Sequence, residues 1–270
     1  MEAAENTGGR GSRWALIAYD SIAPAYDDFT AHHEYDTWLG NLMPKVEKHG
    51  LHGKRLLDVA CGTGKSFIPM LEKGWEVTAC DISPAMVEVA RAKVGDAAEL
   101  HVADMCELPR FGEFGLVFCL DDAVNYLLDT DDLERALTGM AANLAPDGLL
   151  MFDVNTITTY RTFFAEEVVV EKDGRRLIWR GRSTAGAEPQ SIVEASFEVE
   201  PLEAGGEPIP PEFHRERHFP EAEVLAALER AGLECLDVYG HTDDAVPEQP
   251  LEEERHHKAV YISRRANRAK

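Results

Sequence analysis

Short apolar runs alternate with stretches of helical spacing between residues 55 and 154. That is the pattern of strands buried on both faces and joined by crossover helices. The runs are Arg55–Val59, Trp75–Cys80, Ala98–Ala103, Phe114–Leu120 and Gly148–Val154. Between them, Ser83 and Pro84 supply an N-cap and a first-turn proline for a helix over Ala85–Val94, and Thr130 caps Asp131–Leu144, whose first-turn acids complement the helix dipole. The alternation predicts a mostly parallel, doubly wound α/β sheet. Right-handed crossovers then bring the carboxyl ends of the strands to one edge.

Beyond the fifth run the period shortens. Glu167–Lys172, Arg175–Arg182, Ser191–Glu200 and His214–Phe219 read as strands, with Asp173-Gly174 as a hairpin turn and Pro201–Pro211 as a loop. Helical spacing returns over Pro220–Ala231 and stops at Gly232; Glu234–Tyr239 and Lys258–Ser263 supply two last strands to the first sheet. Ahead of the sheet, Leu16–Tyr35 is a tyrosine-rich helical lead-in.

The first run leads into Asp58-Val59-Ala60-Cys61-Gly62-Thr63-Gly64. A Gly-x-Gly turn at the end of a first strand lets a ligand approach backbone that a Cβ would block. A dinucleotide fingerprint needs a third glycine for close helix–strand packing under a pyrophosphate. Phe67 stands there instead, and the Asp58 carboxylate disfavours phosphates. A ligand without phosphates that carries an ammonium group suits the turn better.

This segment resembles motif I of the class I S-adenosylmethionine-dependent methyltransferases, and the order of the later motifs extends the resemblance. Asp81 closes the second run ahead of Ile82-Ser83-Pro84-Ala85-Met86, where a carboxylate accepts both hydroxyls of a ribose. Asp104-Met105 is similar to the family's adenine-contacting pair, and Ala145-Pro146-Asp147-Gly148 to its turn before strand five. Tyr26-Asp27 matches the Tyr-Asp segment of members with small-molecule substrates, in which the tyrosine caps the active site. Together with Asn125-Tyr126-Leu127, Phe152-Asp153-Val154 and the β insert, the chain from about residue 16 resembles a subgroup that includes the amino-sugar N,N-dimethyltransferases.

The resemblance implies a Rossmann-like, doubly wound seven-stranded sheet with a small antiparallel β insert. Its domain organisation is a flexible tail over residues 1–15, a methyltransferase domain over 16–160 and 220–264, and a substrate-covering insert over 161–219. It implies S-adenosyl-L-methionine as cofactor, bound by Tyr26, Asp58, Ala60, Gly62, Gly64, Asp81, Ile82, Met86, Asp104, Met105 and Leu120.

Methyl transfer from a sulfonium is an in-line displacement, so alignment of donor and acceptor is the protein's main task. A base or polar group that aims the acceptor's lone pair adds to it. Tyr126 occupies the place where the amino-sugar enzymes carry a histidine, and is expected to orient the acceptor; a phenol with a pKa of about 10 is a poor base at neutral pH. Asp121 is assigned to the pocket, as a partner for an amine, and Asp122 to capping the next helix. His214 can deprotonate a hydroxyl, or it and His218 are ordinary polar positions on one strand face. Asp153 and Asn155 either meet substrate or end their strand. Tyr35 reads as a packing residue, Trp38 as core or as lining the cofactor pocket, and His256-His257 beside Glu252–Glu254 as a charged loop. No metal is expected.

Charge narrows the substrate. With 49 acidic against 27 basic residues and a net charge of −22, most of the surface repels a phosphate backbone, which disfavours nucleic acid. The Asn/Asp-Pro-Pro-Tyr motif of nucleic-acid amino-methylating enzymes is replaced by Asp121-Asp122-Ala123-Val124-Asn125-Tyr126. No apolar run reaches the roughly eighteen residues of a membrane span, and Met1–Arg13 lacks a secretory pattern. Five scattered cysteines without a C-x-x-C pair read as buried thiols in a reducing compartment. The expectation is a cytoplasmic enzyme that methylates an amine or hydroxyl of a small molecule, with a non-catalytic S-adenosylmethionine-binding module and a NAD-dependent oxidoreductase as alternatives. The exposed edges of the insert leave a homodimer open. The acceptor's identity and the choice among nitrogen, oxygen and carbon are not in the sequence.

Overall fold

Strands β1 (Arg55–Val59), β2 (Glu76–Asp81), β3 (Ala98–Val102), β4 (Phe114–Cys119) and β5 (Leu144–Asn155) lie side by side in parallel register. The computed structural model describes residues 19–202, 209–242 and 245–266, so the tail expected over residues 1–15 falls outside the described residues. After β5 the chain builds a separate antiparallel sheet from β6 (Glu167–Lys172), β7 (Arg175–Gly181), β8 (Ile192–Pro201) and β9 (Ile209–Arg217). It then returns to the first sheet with β10 (Leu233–His241), β11 (Pro247–Glu248) and β12 (Lys258–Arg265). The strand order is β11-β10-β12-β5-β4-β1-β2-β3. The expected seven strands are all present, and the two-residue β11 extends one edge.

Alternation along each central strand divides the core into two layers. Leu57, Val59, Val117, Cys119, Leu150 and Phe152 face one side, under helices α5 (Thr130–Ala142) and α6 (Glu221–Arg230). Leu56, Val77, Leu116, Phe118, Leu149 and Met151 face the other, under α2 (Tyr35–Glu47), α3 (Ile68–Glu72) and α4 (Pro84–Val94). Ser83 caps α4 as expected, its hydroxyl accepting the Met86 N–H at 3.1 Å. For α5 the cap is Asp129, whose carboxylate accepts the Asp132 N–H at 2.8 Å, while Thr130 is already helical.

β12 is antiparallel to β5, with Lys258 opposite Asn155. Its first residue therefore stands at the same edge as the last residues of the parallel strands. In the insert, Asp173 and Gly174 take φ of 50° and 73°, the left-handed turn that an Asp-Gly hairpin requires. The stretch Pro201–Pro211, expected as a loop, is entered by β8 from one end and by β9 from the other. Pro210 and Pro211 sit at an irregularity of β9, where the pairing passes from Phe197–Glu212 to Val199–Ile209, and the edge position of β9 tolerates them.

Helix α1 (Ala23–Phe29) binds the insert to the main sheet. Phe29 packs edge-on against Phe197, and Ile22 and Phe29 share a small core with Phe164, Leu177, Trp179 and Phe197. Its neighbouring acids point opposite ways. Asp27 accepts from Thr63 at 2.6 Å and pairs with Lys93 on the main-sheet side, whereas Asp28 pairs with Lys172 at 2.8 Å and Arg175 at 3.2 Å on the insert. No described helix is long and apolar enough to cross a membrane.

Candidate functional site

The turn after β1 is built around Asp81. Its carboxylate oxygens accept the Gly62 N–H at 2.8 Å and the Ser83 N–H at 2.9 Å, which fixes the β2 terminus to the glycine turn. Burial lifts the Asp81 carboxyl above its ordinary pKa against the pull of these donors. Gly62, at φ +52°, has nothing within 4 Å of where a Cβ would stand. At Gly64, φ +88°, a Cβ would lie 2.8 Å from the Phe67 ring, so the aromatic residue that spoils the dinucleotide pattern is also what requires this glycine. Ala60 and Asp121, at the ends of β1 and β4, hold φ of 61° and 63°, and such strain in non-glycine residues collects at functional sites.

These turns enclose a cleft lined by Tyr19, Tyr26, Tyr35, Ala60, Gly62, Asp81, Ile82, Met86, Met105, Leu120, Asp121 and Tyr126, among others. Asp104 joins Ala60, Ile82 and Met105 in a small recess beside it. Two expected residues do not reach the lining. Asp58 is buried beneath the turn, where Ser66 donates to it, and Gly64 is covered by Phe67.

At the end of β4, Asp153 accepts the Asp121 N–H at 2.6 Å and the Asp122 N–H at 2.9 Å. The Lys258 ammonium joins all three carboxylates, 2.5 Å from Asp122, 2.9 Å from Asp153 and 3.2 Å from Asp121. Tyr35 donates to Asp121 at 2.9 Å, and His33 Nδ1 is 3.3 Å away. Burial works to raise Asp121, but Lys258 and His33 outweigh it and hold this carboxyl well below its ordinary range. Burial carries Asp122 up to about 7. Asp122 does not cap the short turn Ala123–Tyr126 with its side chain, contrary to expectation, because the lysine takes it.

A second polar chain crosses to the insert. The Tyr19 and Tyr126 hydroxyls are 2.6 Å apart, and Tyr126 Oη is 2.8 Å from His214 Nδ1 on β9. Burial drives His214 down to about 3, so the imidazole is neutral, and its Nε2 is buried without a hydrogen-bond partner among the described residues. His218 follows the end of β9 and is also buried. Asn155 donates to Glu216 at 3.0 Å and Asn125 to the Arg217 carbonyl at 2.9 Å, anchoring β9 over the sheet edge.

Between the edge, α1 and the insert lies a cavity of about 700 Å³. It shares Tyr19, Tyr26, Tyr35, Asp121 and Tyr126 with the cleft, so the two spaces meet across one wall.

Residues 56–148 match the model of a methyltransferase domain. YqeM of Bacillus subtilis (strain 168), named as a methyltransferase, is 31% identical over 236 residues, 86% of this chain and 92% of YqeM. The chain belongs to the S-adenosylmethionine-dependent methyltransferase family. It is an enzyme of that family, with S-adenosylmethionine as cofactor. A dTDP-3-amino-3,4,6-trideoxy-alpha-D-glucopyranose N,N-dimethyltransferase from Streptomyces venezuelae is 28% identical over 201 residues, 74% of this chain and 84% of that protein. In fold, the chain matches an S-adenosylmethionine-dependent methyltransferase from Clostridium acetobutylicum ATCC 824 with a TM-score of 0.76 at 21% identity, over 91% of this chain and 98% of that one.

In and around the cleft and cavity, the structure places residues that the sequence left unassigned or read differently. Lys258 reads simply as the start of a strand; the signal lay in topology, since an antiparallel last strand begins at the functional edge. Tyr35 and Trp38 pack against the core as expected and also line the cavity. His256, read as part of a charged loop, is buried against Gly240 and accepts the Glu252 N–H at 2.9 Å. Among the described residues no group of His, Cys, Asp and Glu is arranged to hold a metal.

Proposed function

We propose that the enzyme methylates an amine or hydroxyl of a small molecule held in the 700 Å³ cavity, with the cofactor in the adjoining cleft. The observation that carries this reading is the shared wall of Tyr19, Tyr26, Tyr35, Asp121 and Tyr126. A cavity of this size is in the range of small-ligand sites, and the S. venezuelae relative is named for a small amino sugar.

The cleft suits the cofactor. Each Asp81 oxygen accepts one backbone N–H and keeps capacity for a ribose hydroxyl. The space over Gly62 admits close backbone approach, and Ile82, Met86, Met105 and Leu120 offer apolar surface to a flat base. Ala60 extends that surface, Asp104 sets a hydrogen-bond acceptor at its rim, Tyr26 closes the cleft, and Asp58 and Gly64 act from behind by holding the turn. When bound, S-adenosylmethionine supplies a methyl group activated by a sulfonium leaving group.

The chain's residues then hold the acceptor. A neutral His214 accepts the Tyr126 proton at Nδ1, and Tyr19 donates to the same phenol, which leaves Tyr126 an acceptor site to orient an amine or hydroxyl. Asp121, ionised beside Lys258, offers negative charge to an amine. The insert, residues 161–219, acts as the cover that keeps water out. Calorimetric titration with S-adenosylmethionine, S-adenosylhomocysteine and NAD tests the cleft. Both sulfur ligands should bind in the micromolar range and weaken with Asp81→Ala; binding of NAD alone, or of nothing, overturns the reading.

A further inference from the structure

The acceptor cavity has two unlike walls. One, from α1 and the insert, is a cluster of aromatic rings: Phe29 against Phe197, Phe163 stacked on Trp179 at 5.2 Å between centroids, and Phe164 edge-on to the same indole at 5.2 Å. The other, at the sheet edge, presents Asp121 and Asp122. Among the described residues that line the cavity, Lys258 is the only lysine or arginine, and it is held by Asp121, Asp122 and Asp153. One ammonium thus faces three carboxylates at the edge; the next ammonium, Lys65, lines the adjoining cleft and donates to the Thr30 carbonyl and hydroxyl, and His33 stands 3.3 Å from Asp121.

We infer that the acceptor is an amine carried on an apolar, preferably aromatic, body and free of phosphate; this rests on the reading of the cavity as the acceptor site. Aromatic faces and desolvated carboxylates both favour an ammonium over an anion, and the flat rings give an aromatic body area to bury. Arg and Lys are the favoured side-chain donors to phosphate, and here the cavity's one lysine is taken up by three carboxylates that repel an anion, so this wall disfavours nucleotide-linked sugars of the kind named for the S. venezuelae relative. The ammonium must lose a proton before it can attack, and the Asp122 carboxyl, at about 7, can take it and pass it to solvent. The nitrogen lone pair then forms the new C–N bond as the S–C bond breaks. Sulfur keeps that electron pair and leaves as the neutral thioether.

The test is calorimetry on the full chain saturated with S-adenosylhomocysteine, using phenethylamine, phenylacetate, glucosamine and thymidine diphosphate as probes. Phenethylamine should bind about tenfold or more tighter than each of the others. The double variant Asp121→Asn, Asp122→Asn should erase most of that preference, and Phe163→Ala, at a ring 37% exposed, should weaken phenethylamine severalfold. If the double variant does not fold, the contrast between phenethylamine and phenylacetate on the unaltered protein still decides. Thymidine diphosphate, phenylacetate or glucosamine binding as tightly as phenethylamine overturns the inference. So does a protein that binds S-adenosylhomocysteine but not phenethylamine. Failure to bind S-adenosylhomocysteine is the distinct result that overturns the underlying reading of the cleft.

Discussion

The Tyr126 hydroxyl meets the His214 imidazole at 2.8 Å, joining the turn after β4 to a strand of the insert. The imidazole is buried and neutral, so it holds the phenol in one orientation without adding charge. The insert and the sheet edge are thereby tied at the wall that cleft and cavity share.

Tyr126→Phe removes the middle of the Tyr19–Tyr126–His214 chain. Methyl transfer should slow by about tenfold to a hundredfold, as expected for a lost positioning group. S-adenosylhomocysteine affinity, read by calorimetry, should change by less than about threefold. An equal loss in both would place Tyr126 with the cofactor instead.

His214 makes the fold acid-sensitive. Its folded pKa of about 3 lies below its ordinary value, so the unfolded chain binds the extra proton as pH falls through about 6.5. Its contribution to stability is intact above that pH and declines between about 6.5 and 3, with a slope approaching about 1.4 kcal/mol per pH unit. Urea denaturation across this range should show a shallower decline in His214→Gln than in the wild type.

The two turn glycines should separate fold from ligand. Gly64→Ala drives a Cβ into Phe67 at a left-handed backbone position and should cost about 2 kcal/mol or more of stability. Gly62→Ala meets no neighbour and should cost about 1 kcal/mol. Its methyl enters the cleft, so cofactor affinity should fall further than stability does. Thermal melts paired with calorimetry give both numbers.

Lys258→Met leaves Asp121, Asp122 and Asp153 together without their cation. Loss of about 3 kcal/mol or more is expected at neutral pH. The sign of the pH response should invert locally: without the lysine these carboxyls titrate at raised pKa, so acidification toward pH 5 should recover part of the loss. A melting temperature that falls in parallel with the wild type would refute this role for the lysine.

The sheet was legible because its strands are apolar on both faces and each ends in a polar turn, as at Asp58–Gly64 and Asp81–Met86. The cofactor cleft was nearly as legible, since local sequence fixes how such turns expose Ala60, Gly62, Asp81 and Ile82. The acceptor cavity was not. Lys258 lies 136 residues from the Asp122 it binds, and His214 lies 88 from Tyr126. Such pairings depend on how the insert folds back over the edge, and no local period encodes that. Asp58 shows the converse: a motif position read as facing the ligand holds the turn from inside.

Asp27 and Asp28 give α1 two fastenings, one to the cofactor turn and one to the insert. A seven-residue helix cannot swing away from one and stay seated on the other. Any displacement of the insert at Lys172 and Arg175 therefore pulls on the Thr63 and Lys93 contacts beside the glycine turn. The two halves of the molecule are coupled through the same short helix that carries Tyr26 into the wall between cleft and cavity.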